Sequence, residues 1–114
     1  MAKETFMTET KIYVGLNDSE VRQQLHETDR YISILKNICV AYHVPFSLSM
    51  SRGSYFHEDG EYTEENTLVL TLVDVERQTI EEIAKDLCTF FHQESVMVTE
   101  TETRAYFIQD SIEK

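Results

Sequence analysis

Two groups of residues in this chain have the types and spacing to do chemistry. Cys39 and His43 stand four apart, as do Cys88 and His92, each pair closing an aliphatic-Cys-x-x-aromatic-His run. On a helix an i,i+4 pair shares one face, and two thiolates with two imidazoles can hold a tetrahedral zinc ion. The second group is acidic: His57, Glu58, Asp59 and Glu61, then Glu64 and Glu65, with Tyr55 and Tyr62 beside them. Between residues 53 and 76 there are seven acidic residues and no Lys or Arg. Carboxylates on alternate strand positions repeat every ~6.6 Å. Such a ribbon can present phosphate surrogates to a Lys/Arg-lined groove, with the tyrosines as anchors of the kind that dominate interface hot spots. Each group also has a plain structural reading. A buried Cys acts as a small hydrophobe, a His in a last helical turn complements the dipole, and Asp-Gly is ordinary hairpin-turn chemistry.

Catalytic signatures are missing. The chain has no G-x-S-x-G elbow, Walker loop, dinucleotide fingerprint or H-E-x-x-H, and its three glycines make no phosphate cradle. Cys39 and Cys88 lie on apolar stripes, where a thiolate is disfavoured. The sequence therefore predicts a protein that is not an enzyme and needs no cofactor. Twenty-one acidic against ten basic residues give a formal net charge of −11. That balance opposes direct nucleic-acid binding and docking on an anionic membrane, and favours a basic protein surface, such as that of a nucleic-acid-binding protein. No apolar run is long enough for a membrane span, and the N-terminus does not read as a signal peptide. Two cysteines in that setting imply reduced thiols and a cytoplasmic location.

The elements that must position these groups follow from periodicity. A flexible leader over residues 1–10 precedes a strand over 11–16, with Ile12, Val14 and Leu16 on one face. Asn17-Asp18-Ser19 offers N-caps for a helix reaching about residue 43, its apolar stripe broken only at Thr28. A long hairpin over 46–75 follows, then a helix over about 76–91 carrying Ile80, Ile83, Leu87 and Phe91. Residues 95–99 read as a strand, 100–102 as a turn and 104–108 as an extra C-terminal strand, before a flexible tail over 110–114. Length fits a single domain over 11–109. The order is that of an α+β, ferredoxin-like βαββαβ fold with both helices on one face of an antiparallel sheet. This reading makes the first and third strands central and parallel, and runs the two helices in the same direction. The bare sheet face then carries Tyr13, Val69, Thr71, Val73 and Met97, an apolar patch that a homo-oligomer, dimer or trimer, would bury.

The stretches KIYVGLND, YFHEDGEYTEENTLVLTLVDV and LCTFFHQESVMV resemble small, uncharacterised ferredoxin-like proteins of bacteria and their phages. The excursion between the second and third strands is similar in placement to the signalling loop of PII-like proteins. PII-like proteins are trimers that bind nucleotides between subunits. This chain lacks their glycine-rich phosphate loop and the basic residues around the excursion, so the likeness implies only the fold and self-association. The leading functional expectation is an acidic, non-enzymatic regulator that inhibits a partner by occupying its nucleic-acid-binding surface, of the phage anti-defence kind. Tyr55, His57, Glu58, Asp59, Glu61, Tyr62, Glu64 and Glu65 would make the contact. A PII-like small-metabolite sensor and a zinc-stabilised scaffold are the alternatives.

Overall fold

A computed structural model of the chain describes residues 4–110. The elements are β1 (Thr5–Gly15), α1 (Thr28–Ala41), β2 (Ser47–Phe56), β3 (Tyr62–Val73), α2 (Arg77–Phe90) and β4 (Met97–Ala105). They form a four-stranded sheet in the order β2-β3-β1-β4, antiparallel at every pairing. The fold is the expected α+β, ferredoxin-like one. Ile12 and Val14 of β1, Leu16 just past its end, and Leu68, Leu70 and Leu72 of β3 all face the helices, where they meet Tyr31, Leu35 and Cys39 of α1 and Ile80, Ile83 and Leu87 of α2. Burial of these apolar faces is the main force holding the layers together.

The expected strand directions are corrected. β1 and β3 are central, but they run antiparallel, because the β2–β3 hairpin reverses the chain between the two helical crossovers. The helices are reversed as well. Tyr31, at the start of α1, packs at a tilt against Phe91, just past the end of α2, with ring centroids 5.2 Å apart.

Three boundaries also differ. β1 begins at Thr5, so residues 5–10 of the expected leader are strand, paired with β4 from Thr5 opposite Ala105 to Tyr13 opposite Met97. The ribbon is exposed on much of both faces, which removes the apolar alternation that marks a strand. The segment read as two short strands about a turn holds one strand, β4, over Met97–Ala105, with residues 95–96 and 106–108 outside it. Thr99, Thr101 and Thr103 fall at period two opposite Lys11, Glu9 and Met7, a β-branched pattern that suits a strand. Finally, α1 starts at Thr28, not after Ser19. Asp18 spends its Oδ1 on the N–H groups of Glu20 and Val21, and Arg22 follows at φ +63°, outside helical space. Val21 and Leu25, whose spacing fits the apolar stripe of a helix starting after Ser19, are exposed. Of the expected tail, residues 111–114 lie outside the described residues. No helix among the described residues is long and apolar enough to cross a membrane.

Candidate functional site

Where β1 ends, β2 and β3 continue as a two-stranded arm, from Arg52 opposite Asn66 to Phe56 opposite Tyr62. The arm turns at residues 57–60. There the His57 N–H donates to Glu61 O at 2.9 Å, and the Gly60 N–H donates to His57 O at 2.9 Å. Gly60 sits at φ +88°, a conformation glycine adopts without a Cβ penalty. Residues 16–27 lie along the arm, tied to it by the Leu16 N–H donating to Asn66 O at 2.9 Å and Asn66 Nδ2 donating to Gln24 Oε1 at 3.0 Å. Residues 91–95 close the third side, with the Ser19 N–H donating to His92 O at 3.1 Å and Gln93 Nε2 donating to Asn17 O. The three segments enclose a cleft of about 710 Å³, within the ordinary range for a small-molecule site.

Glu65 is its central acid. Registers Gly15–Thr67 and Gly53–Glu65 put it on the helix-free face of the sheet, and its carboxylate folds over Gly15. A Cβ at Gly15 would fall on that carboxylate, so the strand glycine serves close approach. The Asn17 N–H donates to Glu65 Oε2 at 3.0 Å. Burial pushes the Glu65 carboxyl up, against the opposing pull of that N–H. The Tyr55 hydroxyl is likewise pushed up, first by burial and then by the Glu65 charge. Tyr55 packs edge-on against His57 at 4.9 Å, and His57 Nε2 hydrogen-bonds with Thr63 Oγ1 at 2.9 Å.

The floor of the loop is held by Asp18. Its carboxyl is drawn below the usual range by the N–H groups of Val21 and Glu20, with His92 helping; His92 Nδ1 lies 3.1 Å from Asp18 Oδ2. Across the mouth, Arg22 Nη1 meets Asp59 Oδ2 at 3.3 Å. The Asp59 carboxyl is lowered by the Glu61 N–H and then by Arg22. Glu58, Asp59, Glu65 and Glu94 line the cleft, and Arg22 is the one Lys or Arg among its described lining residues.

Of the expected contact residues, Tyr55, His57, Glu58, Asp59 and Glu65 meet in this cleft, whereas Glu61, Tyr62 and Glu64 are not among its lining. The picture of one row of unquenched carboxylates is corrected in two ways. Glu64 and Glu65 are adjacent on β3 and point to opposite faces. Cations from outside the 53–76 stretch reach the arm too: Arg22 at Asp59 and Arg52 at Glu64, 3.5 Å away. Asn17, Arg22, Gln93 and Glu94 were missed. The signal that could have found the site is Gly15, a glycine that ends β1 directly after the β-branched and aromatic run Ile12-Tyr13-Val14.

The proposed zinc ligands do not meet. With α1 and α2 antiparallel, Cys39 with His43 and Cys88 with His92 lie at opposite ends of the helical layer. No group of three or more His, Cys, Asp or Glu placed to hold a metal occurs among the described residues. Burial pushes the Cys39 thiol up to about 11, away from the thiolate that zinc requires. Tyr13, Val69, Thr71, Val73 and Met97 do share the open sheet face, through the pairings Tyr13–Val69, Lys11–Thr71, Glu9–Val73 and Tyr13–Met97.

Fold and cleft together define a ferredoxin-like domain with an acidic, small-molecule-sized site at the root of its hairpin arm. The sequence profile of the S-Adenosylmethionine lyase family matches residues 14–113, and the chain belongs to that family. Among solved structures, it is similar to a phage SAM lyase in complex with S-methyl-5'-thioadenosine, with TM-score 0.64 and 19% identity over 94% of this chain and 93% of that one. A phage SAM lyase in the apo state gives TM-score 0.65 and 20% identity over 93% and 92% of the two chains. At these identities the likeness shows the fold alone. No curated protein sequence matches the chain.

Family membership overturns the expectation of a non-enzymatic inhibitor, and with it the sensor and zinc-scaffold alternatives. The absence of familiar catalytic motifs misled, because those motifs mark chemistry that needs a nucleophile, a phosphate cradle or a metal in the protein.

Proposed function

We propose that this protein cleaves S-adenosylmethionine, releasing S-methyl-5'-thioadenosine, in the cleft around Glu65. The observation that carries the reading is the family match over residues 14–113, and the cleft's chemistry agrees with it. The substrate carries a sulfonium, an ammonium and one carboxylate. An acidic cleft with a half-buried carboxylate and a tyrosine face suits such a cation, through ion pairing and cation–π attraction.

Cleavage without water needs electrons from the substrate itself. Its carboxylate oxygen can attack the γ carbon of its own amino-acid chain, the one attached to sulfur; a C–O bond forms, the bond from that carbon to sulfur breaks, and its electron pair leaves on sulfur as a neutral thioether. The other product is then a five-membered lactone, and no proton moves. Ring closure of this kind gains its rate from orientation, which a fixed cleft supplies. The scheme asks the protein for no nucleophile, which accounts for the missing motifs. Negative charge around the sulfonium favours capture, but it does not speed the step, since the positive charge disappears in the transition state.

The test is direct: purified protein incubated with S-adenosylmethionine in ¹⁸O-water should release S-methyl-5'-thioadenosine and a lactone without ¹⁸O. No thioadenosine release overturns the lyase reading, and ¹⁸O in the initial amino-acid product overturns the water-free route.

Self-association through the open sheet face is part of the same proposal. Val73 and Met97 are 47% and 58% exposed on it, and the two-stranded arm is marginal alone in water. Light scattering should give a closed homo-oligomer that Met97→Glu dissociates; a monomeric wild-type protein at micromolar concentration is the contrary result.

A further inference from the structure

We propose that Arg22 is the subsite for the substrate's carboxylate, exchanging Asp59 for it when the substrate enters. This inference rests on the lyase reading and names the residue that sets the site's preference for a substrate with an intact amino-acid end. Three observations carry it. Arg22 is the one Lys or Arg among the described residues lining a cleft otherwise rich in carboxylates. A substrate with two cationic centres and one carboxylate needs that composition: acids for the cations and one cation for the acid. A guanidinium suits the last task, because its planar fork matches a carboxylate with two parallel hydrogen bonds.

The second observation is that the root of Arg22 is fixed while its head is held loosely. The backbone is in the left-handed region at φ +63°, costly for a residue other than glycine, and the Arg22 N–H donates to Asp18 O at 2.8 Å. Asp18 is itself buried and spends its own side chain on the same turn. The head contacts Asp59 at 3.3 Å, with the two side chains 41% and 59% exposed, a type of pair that contributes little and exchanges readily.

The third observation is position. Asp59 sits at the arm tip and Glu65 at the arm root, with Tyr55, opposite Thr63, between them along the arm, so a molecule seated against Tyr55 and Glu65 has Arg22 at the mouth. The free-state partner of Arg22 is a carboxylate, the chemical group the substrate brings.

The test compares Arg22→Gln, Asp59→Asn and the wild-type protein in two measurements: KM for S-adenosylmethionine, and the Kd of S-methyl-5'-thioadenosine, which lacks the carboxylate. Arg22→Gln should raise KM about 10-fold or more, as expected for losing a hydrogen bond to a charged group, and leave the thioadenosine Kd within about twofold. Asp59→Asn breaks the same latch but keeps the guanidinium, so its KM should move far less. Equal KM changes in both variants would mean that Arg22 is only a latch between loop and arm, and that overturns the proposal. An unchanged KM in Arg22→Gln overturns it as well, as does parallel loss of thioadenosine binding, which marks a collapsed site. Wild-type protein that releases no thioadenosine defeats the lyase reading first, an outcome distinct from a failure of Arg22 alone.

Discussion

Glu65 is held where its charge is least comfortable, and its environment yields two predictions. Burial raises its folded-state carboxyl above the ordinary value. Between the unfolded and folded values the folded state therefore binds more protons, so stability grows as pH falls through the folded value, and ionisation opposes folding above it. Glu65→Gln removes that opposition at neutral pH and keeps an oxygen for the Asn17 N–H. Because this carboxylate acts on capture of the cation, we expect KM for S-adenosylmethionine to rise about 10-fold or more with kcat little changed, and Tm near neutral pH to rise by about 2–4 °C. The gain should shrink toward acid pH, where wild-type Glu65 is protonated too. Gly15→Ala tests the same carboxylate from below. The new methyl meets the flexible end of Glu65, not backbone, so the fold should survive while Glu65 is displaced. An activity loss of about 10-fold with Tm changed by only ~2 °C is expected; full activity would show that the placement of Glu65 over Gly15 is unimportant.

At the scale of elements, the apolar faces were legible and the loop was not. Ile12, Val14 and Leu16 at period two, and Ile80, Ile83 and Leu87 at helical spacing, report burial against a core, so strands and helices could be read with the fold order. Residues 16–27 report something else. Their apolar members Val21 and Leu25 fall on a helical stripe by spacing yet are exposed, and the polar run Asn17-Asp18-Ser19 caps a tight turn where a helix start was expected. Distinguishing the two requires knowing that Glu65, 48 positions later, takes the Asn17 N–H, which no local pattern contains. Half of the cleft was visible as the acidic hairpin tip, and the other half depended on tertiary contacts. Asp18 organises this loop, and its folded-state carboxyl is lowered. Its contribution is therefore fully present above the unfolded value and lost as pH falls through the folded one. Asp18→Asn should cost most in Tm at about pH 6 and least near pH 3; a pH-independent difference would show that the charge of Asp18 does not hold the turn.

For the whole molecule, the charge of −11 pointed toward a cationic counterpart; the sequence reading made it a protein groove, and the function proposed above makes it a small sulfonium. The two readings differ in how salt should act. A protein partner recognised by many ion pairs loses affinity steeply with salt, whereas a substrate of net charge about +1 feels mainly the summed field of the cleft and surface. Screening at ~0.1 M salt shortens that field to about 10 Å, so raising salt from about 0.02 to 0.5 M should increase KM severalfold. The chemical step should respond differently. Positive charge on sulfur is lost in the transition state, so the acidic surroundings stabilise the bound substrate more than the transition state. Weakening the field at high salt therefore leaves kcat unchanged or slightly raised, while kcat/KM falls. Initial rates across a salt series check this, and a kcat that declines in step with kcat/KM would show that the cleft's charge acts on the bond-breaking step instead of on capture.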